Sequence, residues 1–269
     1  TSSKKNGSKF DFGPVNTVVS SNFVDGLRLR VSGRTTANLN KHLFWNGYYA
    51  YGTKTGNHYY GSEITYALNK KKNVPFEFPQ RNIIFESARD VMSPADKYLI
   101  HNKDNMFMAF RVQKVEQMYF YNRQRLAFNY ETDWGLRFNT EIKAESNEPA
   151  GDLYFRHVDD GSMVNKIRTT ELTVGIKYCP GQTYINTKQQ RWPVNLDAPE
   201  FTVSHTTGLK NFLGGQYKLN LTTVGIYKRF WLGSWGYIAS HLKGGAQWGK
   251  APFPLLIMPP VSVSFSELE

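Results

Sequence analysis

Apolar side chains recur at every second position along almost the whole chain, and a period of two places alternate residues on opposite faces of an extended strand. In Gly26 to Arg34, Leu27, Leu29 and Val31 share one face while Arg28, Arg30, Ser32 and Arg34 share the other. From Tyr59 to Leu68, Tyr60, Ile64, Tyr66 and Leu68 oppose Gly61, Glu63, Thr65 and Ala67. From Arg125 to Thr132, Leu126, Phe128 and Tyr130 oppose Arg125, Asn129 and Glu131. The alternation is cleanest in two segments. Leu136, Phe138, Ile142 and Ala144 face away from Arg137, Asn139, Glu141 and Lys143, and Leu172, Val174, Ile176 and Tyr178 face away from Glu171, Thr173, Gly175 and Lys177. Weaker alternation marks Leu43 to Gly52, Arg81 to Arg89, Glu200 to Thr207, Tyr217 to Phe230 and Ser234 to Trp248.

This pattern predicts roughly ten antiparallel strands, separated by turn-rich pieces such as Thr55-Gly56-Asn57, Pro180-Gly181, Gly214-Gly215 and Gly233. No capped segment of helical period and adequate length is evident, and Val91 to Asn105 reads as a long loop with at most one helical turn at Ser93-Pro94-Ala95-Asp96. No linker and no long repeat divides the chain. The expected organisation is a lead-in over residues 1–25 and one all-β domain over residues 26–269.

Such strands build either a water-soluble sandwich or a membrane barrel. A mean hydropathy of -0.50 goes with the absence of any long apolar run. That excludes transmembrane helices but not a barrel, whose strands need be apolar on one face only. Three features favour an antiparallel up-and-down transmembrane barrel. Several candidates run about nine to twelve residues, long enough to cross a bilayer at a tilt. The polar face carries both signs of charge: Arg28, Arg30, Arg34, Glu63, Arg125, Glu131, Arg137, Glu141, Glu171 and Lys177 would share one lumen, where opposite charges pair. Trp45, Tyr49, Tyr51, Trp134, Trp231, Trp235, Tyr237 and Trp248 fall near strand ends, where an amphipathic ring suits the headgroup boundary. A sandwich would instead expose the same charges to bulk water.

A net charge of +11, from 33 basic and 22 acidic residues, favours anionic partners such as phospholipid or the phosphates of lipopolysaccharide. The only basic run is Lys70-Lys71-Lys72, read as a solvated loop. Nucleic acid is not expected as a partner, because the aromatics share a face with Leu and Val instead of standing among basic residues. The one cysteine, Cys179, precedes Pro180-Gly181 as a turn residue and excludes an intramolecular disulfide. His42, His58, His101, His157, His205 and His241 form no pair at metal-ligand spacing, and Asp159-Asp160-Gly161 reads as a turn instead of a calcium loop. No phosphate loop, dinucleotide fingerprint or nucleophile elbow is present, and nothing singles out a carboxylate pair. The residues thus predict no enzyme activity, no cofactor and no metal.

The segment FDFGPVNTVVSSNFVDGLRLRVSGRTT (Phe10 to Thr36), followed by GYYAYGTKTGNHYYGSEITYALNKKK (Gly47 to Lys72), resembles the opening barrel strands of the DUF5686 family of Bacteroidota outer-membrane proteins. These are often described as carboxypeptidase-regulatory-like domain proteins and are related to the D15/Omp85 surface-antigen barrels. The stretch from Pro199 to Leu256, with FTVSHTTGL, YKLNLTTVGIYKRFWLGSWGY and LKGGAQWGKAPFPLL, is similar to the family's middle strands. The resemblance implies a partial barrel, with a β-sandwich upstream and further strands downstream in the parent protein. Val261, Val263 and Phe265 alternate as the start of a further strand. It also implies a bacterial outer-membrane location, a targeting signal outside this stretch, and a part in inserting or exporting proteins or lipids. The expected partners are the bilayer, lipopolysaccharide and other outer-membrane proteins. The residues alone leave a second class open, a soluble all-β module that binds an anionic glycan through its tryptophans and basic surface.

Overall fold

A computed structural model describes residues 7–13, 18–22, 24–92, 117–151, 153–156, 161–188 and 190–249. In chain order the strands are β1 (Phe10–Phe12), β2 (Val19–Asn22), β3 (Gly26–Thr35), β4 (Leu43–Gly52), β5 (His58–Ala67), β6 (Arg81–Met92), β7 (Gln117–Glu131), β8 (Leu136–Gly151), β9 (Phe155–Arg156), β10 (Met163–Val164), β11 (Ile167–Tyr178), β12 (Tyr184–Asn186), β13 (Arg191–Pro193), β14 (Glu200–Gly208), β15 (Asn220–Trp231) and β16 (Tyr237–Trp248). A 3-10 turn, Gly233–Trp235, tips the β15–β16 hairpin. No helix among the described residues is long and apolar enough to cross a membrane.

One 12-stranded sheet runs β1-β3-β4-β5-β6-β7-β8-β11-β14-β15-β16, with β2 also paired to β3, while β9–β10 and β12–β13 are separate hairpins inserted in its turns. Every ladder is antiparallel, so the sheet is an up-and-down meander. It is an open sheet among the described residues, ending in β1 and β2 on one side and in β16 on the other.

Each strand that the alternation predicts is present, and β4 has the expected bounds. The lead-in is not separate from the sheet, because β1 and β2 both pair with β3. β7 and β8 reach 15 and 16 residues, well beyond the expected segments. Their extensions lack a period of two for different reasons. Met118, Tyr119, Phe120 and Tyr121 are apolar or aromatic in succession, and Tyr119 and Tyr121 pack with Leu153, Phe155 and Ile167 in a small core. Ser146, Asn147, Glu148 and Pro149 are polar or turn-forming on both faces of β8. Val91 and Met92 end β6 instead of opening a loop. The turn expected at 93–96, most of the loop around it, and the alternation at 261–265 lie outside the described residues.

Burial is inverted relative to a water-soluble sheet. Arg28, Asn82, Asp90, Asn129, Glu131, Glu145, Asn147 and Glu171 are buried, whereas Leu27, Val31, Ile64, Phe85, Leu126, Val174, Ile176, Val203, Val224 and Leu242 are exposed. Because registers are continuous from β3 to β16, the exposed apolar residues form a band across neighbouring strands. Leu29 stands opposite Tyr51, Phe85 opposite Leu126, Leu126 opposite Ile142, Ile176 opposite Val203, and Ile226 opposite Leu242.

Candidate functional site

The polar face is the chemically distinctive surface. Adjacent strands lie about 4.8 Å apart, so β3 and β6, with two strands between them, would be separated by about 14 Å in a flat sheet. Yet Arg28 on β3 donates to Asp90 on β6 through Nη1 at 2.6 Å and Nη2 at 2.7 Å. This bidentate pair requires the sheet to curl with its charged face inside. The Tyr48 hydroxyl also donates to Asp90. Gly61 leaves space for the Tyr48 ring, since a Cβ there would sit 2.3 Å from it.

Further along, the charges form a ladder. Arg125 binds Glu86 at 2.7 Å, Glu141 at 3.2 Å and Glu63 at 3.5 Å, joining β5, β6, β7 and β8. Arg123 binds Glu145 at 2.7 Å, Lys143 binds Glu171 at 2.9 Å, and Lys177 binds Glu200 at 2.6 Å. The antiparallel register brings these partners level across strands, for example Glu86 with Arg125 and Lys143 with Glu171. Arg34 reaches Asp11 at 3.2 Å, and the Arg30 guanidinium lies 3.9 Å from the centre of the Tyr48 ring. Arg137 is level with Glu131 on one neighbour and Lys177 on the other. All the charged residues singled out from the alternation therefore lie on this face. The alternation also places Lys143 on this face, but it does not single out the partners Glu86, Asp90, Arg123, Glu145 and Glu200 as part of the same set. The run Ile83-Ile84-Phe85 interrupts the pattern that would have put Glu86 and Asp90 on the polar side.

At the end where β4 begins and β15 finishes, two turns from distant places meet. The β5–β6 turn, residues 68–80, is joined to the β12–β13 hairpin by Phe78 N donating to Asn186 Oδ1 at 2.9 Å and Asn186 Nδ2 donating to Phe78 O at 3.0 Å. Glu131 at the end of β7 ties both down, accepting from Gln80 N at 2.8 Å and from Arg191 Nη1 at 2.7 Å. Lys71 is buried in the same turn, with Nζ donating to the carbonyls of Glu77 and Pro79 at 2.8 Å each. Burial pushes its pKa down to about 8, against the opposing pull of Glu77 and Glu131. Lys71 is thus a structural pin and not the solvated loop residue expected of a basic run; Lys70 and Lys72 are exposed. Gly135, at φ +97° in the β7–β8 turn, meets the Cys179 carbonyl so closely that a Cβ would lie 2.2 Å from it. Cys179 is buried there, and burial raises its thiol pKa.

The aromatic residues expected near strand ends fall on the exposed side or at its rims. Trp45, Trp134, Trp231 and Trp235 lie at the same end as the bridged turns, and Trp192 of β13, which no alternation marks, joins them. Tyr49, Tyr51 and Trp248 lie toward the opposite end. Trp235 is 91% exposed on the tip of the β15–β16 hairpin. Polar tips still find partners: Trp45 Nε1 donates to Ser62 Oγ at 3.0 Å and Trp248 Nε1 to Thr222 Oγ1 at 3.2 Å. Among the described residues no group of three His, Cys, Asp or Glu side chains is placed to hold a metal ion.

A comparison with curated proteins finds no match. A family model, described as the C-terminal domain of a family of unknown function, DUF5686, matches residues 1–251, which takes in every strand of the sheet. The match covers nearly the whole chain, and the chain belongs to the DUF5686 family.

Proposed function

We propose that the chain forms the wall of a transmembrane β-barrel in a bacterial outer membrane, with the apolar band against lipid and the charge ladder lining the lumen. The observation that carries this reading is the inverted burial, with Leu, Ile, Val and Phe exposed on one face of successive strands while Arg, Glu, Asp and Asn are buried on the other. In water, so large an apolar surface would drive aggregation. In a bilayer it needs no further cover, and the paired charges suit an enclosed, partly hydrated interior. Tryptophans at the strand ends suit the headgroup boundary. The resemblance to D15/Omp85-like surface-antigen barrels points the reading toward insertion or export of proteins or lipids. Lipopolysaccharide and neighbouring outer-membrane proteins would then be its natural contacts.

Flotation with liposomes tests this reading. The purified chain is expected to require detergent and to rise with phospholipid vesicles through a density gradient after detergent removal. A monodisperse monomer in plain buffer with a cooperative melt would contradict it, and would favour a soluble module that binds an anionic glycan.

A further inference from the structure

A cavity of about 540 Å³ opens on the polar face at the end of the bridged turns, between β1, β3, β4, β5 and the turn 68–80. Its size lies within the range of small-molecule sites. The lining divides by chemistry. Lys72 comes from the turn 68–80 and Lys188 from the tip of the β12–β13 hairpin, and neither ammonium has a side-chain partner among the described residues. Arg34 adds a third cation, held by Asp11 at 3.2 Å. The carboxylates of Asp11 and Glu63 and the amide of Asn46 stand on the strands below. Phe76 supplies a half-buried apolar ring, while Phe44 contributes to the wall from a core it shares with Ala37 and Ala67, at 3% exposure.

Asp11 is already paired with Arg34 and Glu63 with Arg125, so an inorganic anion would set further negative charge against these carboxylates without offering them a donor, and an aliphatic chain would leave the cations and amide unsatisfied. A sugar ring bearing a phosphate uses all of them. Its C–H face packs on the Phe76 ring, its hydroxyls donate to carboxylates, and its dianionic group takes the two ammonium groups. We propose that this cavity binds a phosphorylated sugar, with Lys72 and Lys188 on the phosphate and Asp11, Asn46 and Glu63 on the hydroxyls. The site is a property of the polar face and does not depend on whether that face encloses a lumen. The same chemistry has two sources, a free sugar phosphate or the phosphorylated glucosamine headgroup of a glycolipid.

The test titrates the full chain, in detergent micelles, with glucosamine 1-phosphate, with glucosamine and with inorganic phosphate. The variant K72Q/K188Q removes two charges without disturbing the turn, because Lys72 holds it through its backbone N–H, which donates to Glu77 Oε2 at 2.8 Å. Glucosamine 1-phosphate is expected to bind saturably, and K72Q/K188Q to weaken it at least about tenfold. The control K210Q/K218Q, equal in charge and at the opposite end, should leave binding unchanged. N46A should weaken the sugar phosphate more than inorganic phosphate. Lipid A in mixed micelles that competes identifies the headgroup as the source, and lipid A that does not compete identifies the free sugar phosphate. Absence of saturation, equal affinity in K72Q/K188Q, or binding of glucosamine or inorganic phosphate as tight as that of the sugar phosphate would overturn the proposal.

Discussion

Asp90 serves two side chains at once, accepting both arms of the Arg28 guanidinium and the Tyr48 hydroxyl. Asp90→Ala leaves a buried arginine without its counterion and is expected to lower stability by about 3–5 kcal/mol, read from equilibrium urea unfolding. The double variant R28M/D90L removes both charges and should recover most of that loss; an equally unstable double variant would show that packing and not charge set the effect. Lys71 gives a pH signature. With its folded pKa near 8 against an ordinary 10.5, the unfolded chain holds more protons between these values. Stability should therefore rise with pH across that window, and below it both states are protonated and the buried ammonium weighs against folding. Lys71→Met should remove this rise, seen as the difference in Tm between the two proteins followed from pH 7 to pH 10. A pH dependence unchanged by the substitution would place the titrating group elsewhere.

The elements differ in how openly their sequence declares them. β3, β5, β11 and the first part of β8 alternate because each has one face toward charge and one toward the apolar band. Where a strand has apolar neighbours on both sides, the period of two disappears, as in the first half of β7, whose Tyr119 and Tyr121 meet Leu153, Phe155 and Ile167. Part of the polar face is readable from the alternation, from Arg28 and Arg30 to Glu171 and Lys177, but Glu86, Asp90, Arg123, Glu145 and Glu200 are not, and neither is the pairing. Arg28 and Asp90 are 62 positions apart, and only the curl of the sheet brings them together. The bridge across one end is equally hidden, since it rests on Asn186 and Arg191 in a short hairpin with no periodic signal. Glu131→Gln should weaken the hold on both partners of that bridge. Amide exchange at Phe78 and Gln80 should rise about tenfold or more, as expected for losing a charge-assisted hydrogen bond. Exchange unchanged at both amides would mean that Lys71 and Glu77 hold the turn unaided.

At the scale of the whole molecule, everything turns on whether the apolar face meets lipid. Arginine at Val174 should destabilise the protein by about 2–4 kcal/mol if that position lies near the bilayer midplane, while arginine at Thr173 should be tolerated on the charged face. A water-soluble sheet also resists Val174→Arg if that face is packed, so stability alone does not separate the two cases. Labelling does. Thr173 faces the ladder, with its hydroxyl 2.8 Å from that of Thr206, and Val174 faces the opposite way at 39% exposure. The most direct measurement places single cysteines at 173 and 174 in a Cys179→Ala background. The chain is reconstituted in liposomes and treated with a charged aqueous maleimide and with a lipid-confined thiol probe. A barrel wall with its apolar band in lipid predicts aqueous labelling at position 173 and lipid-phase labelling at position 174; a folded protein whose position 174 is refused by the lipid probe and reached by the aqueous one would contradict it.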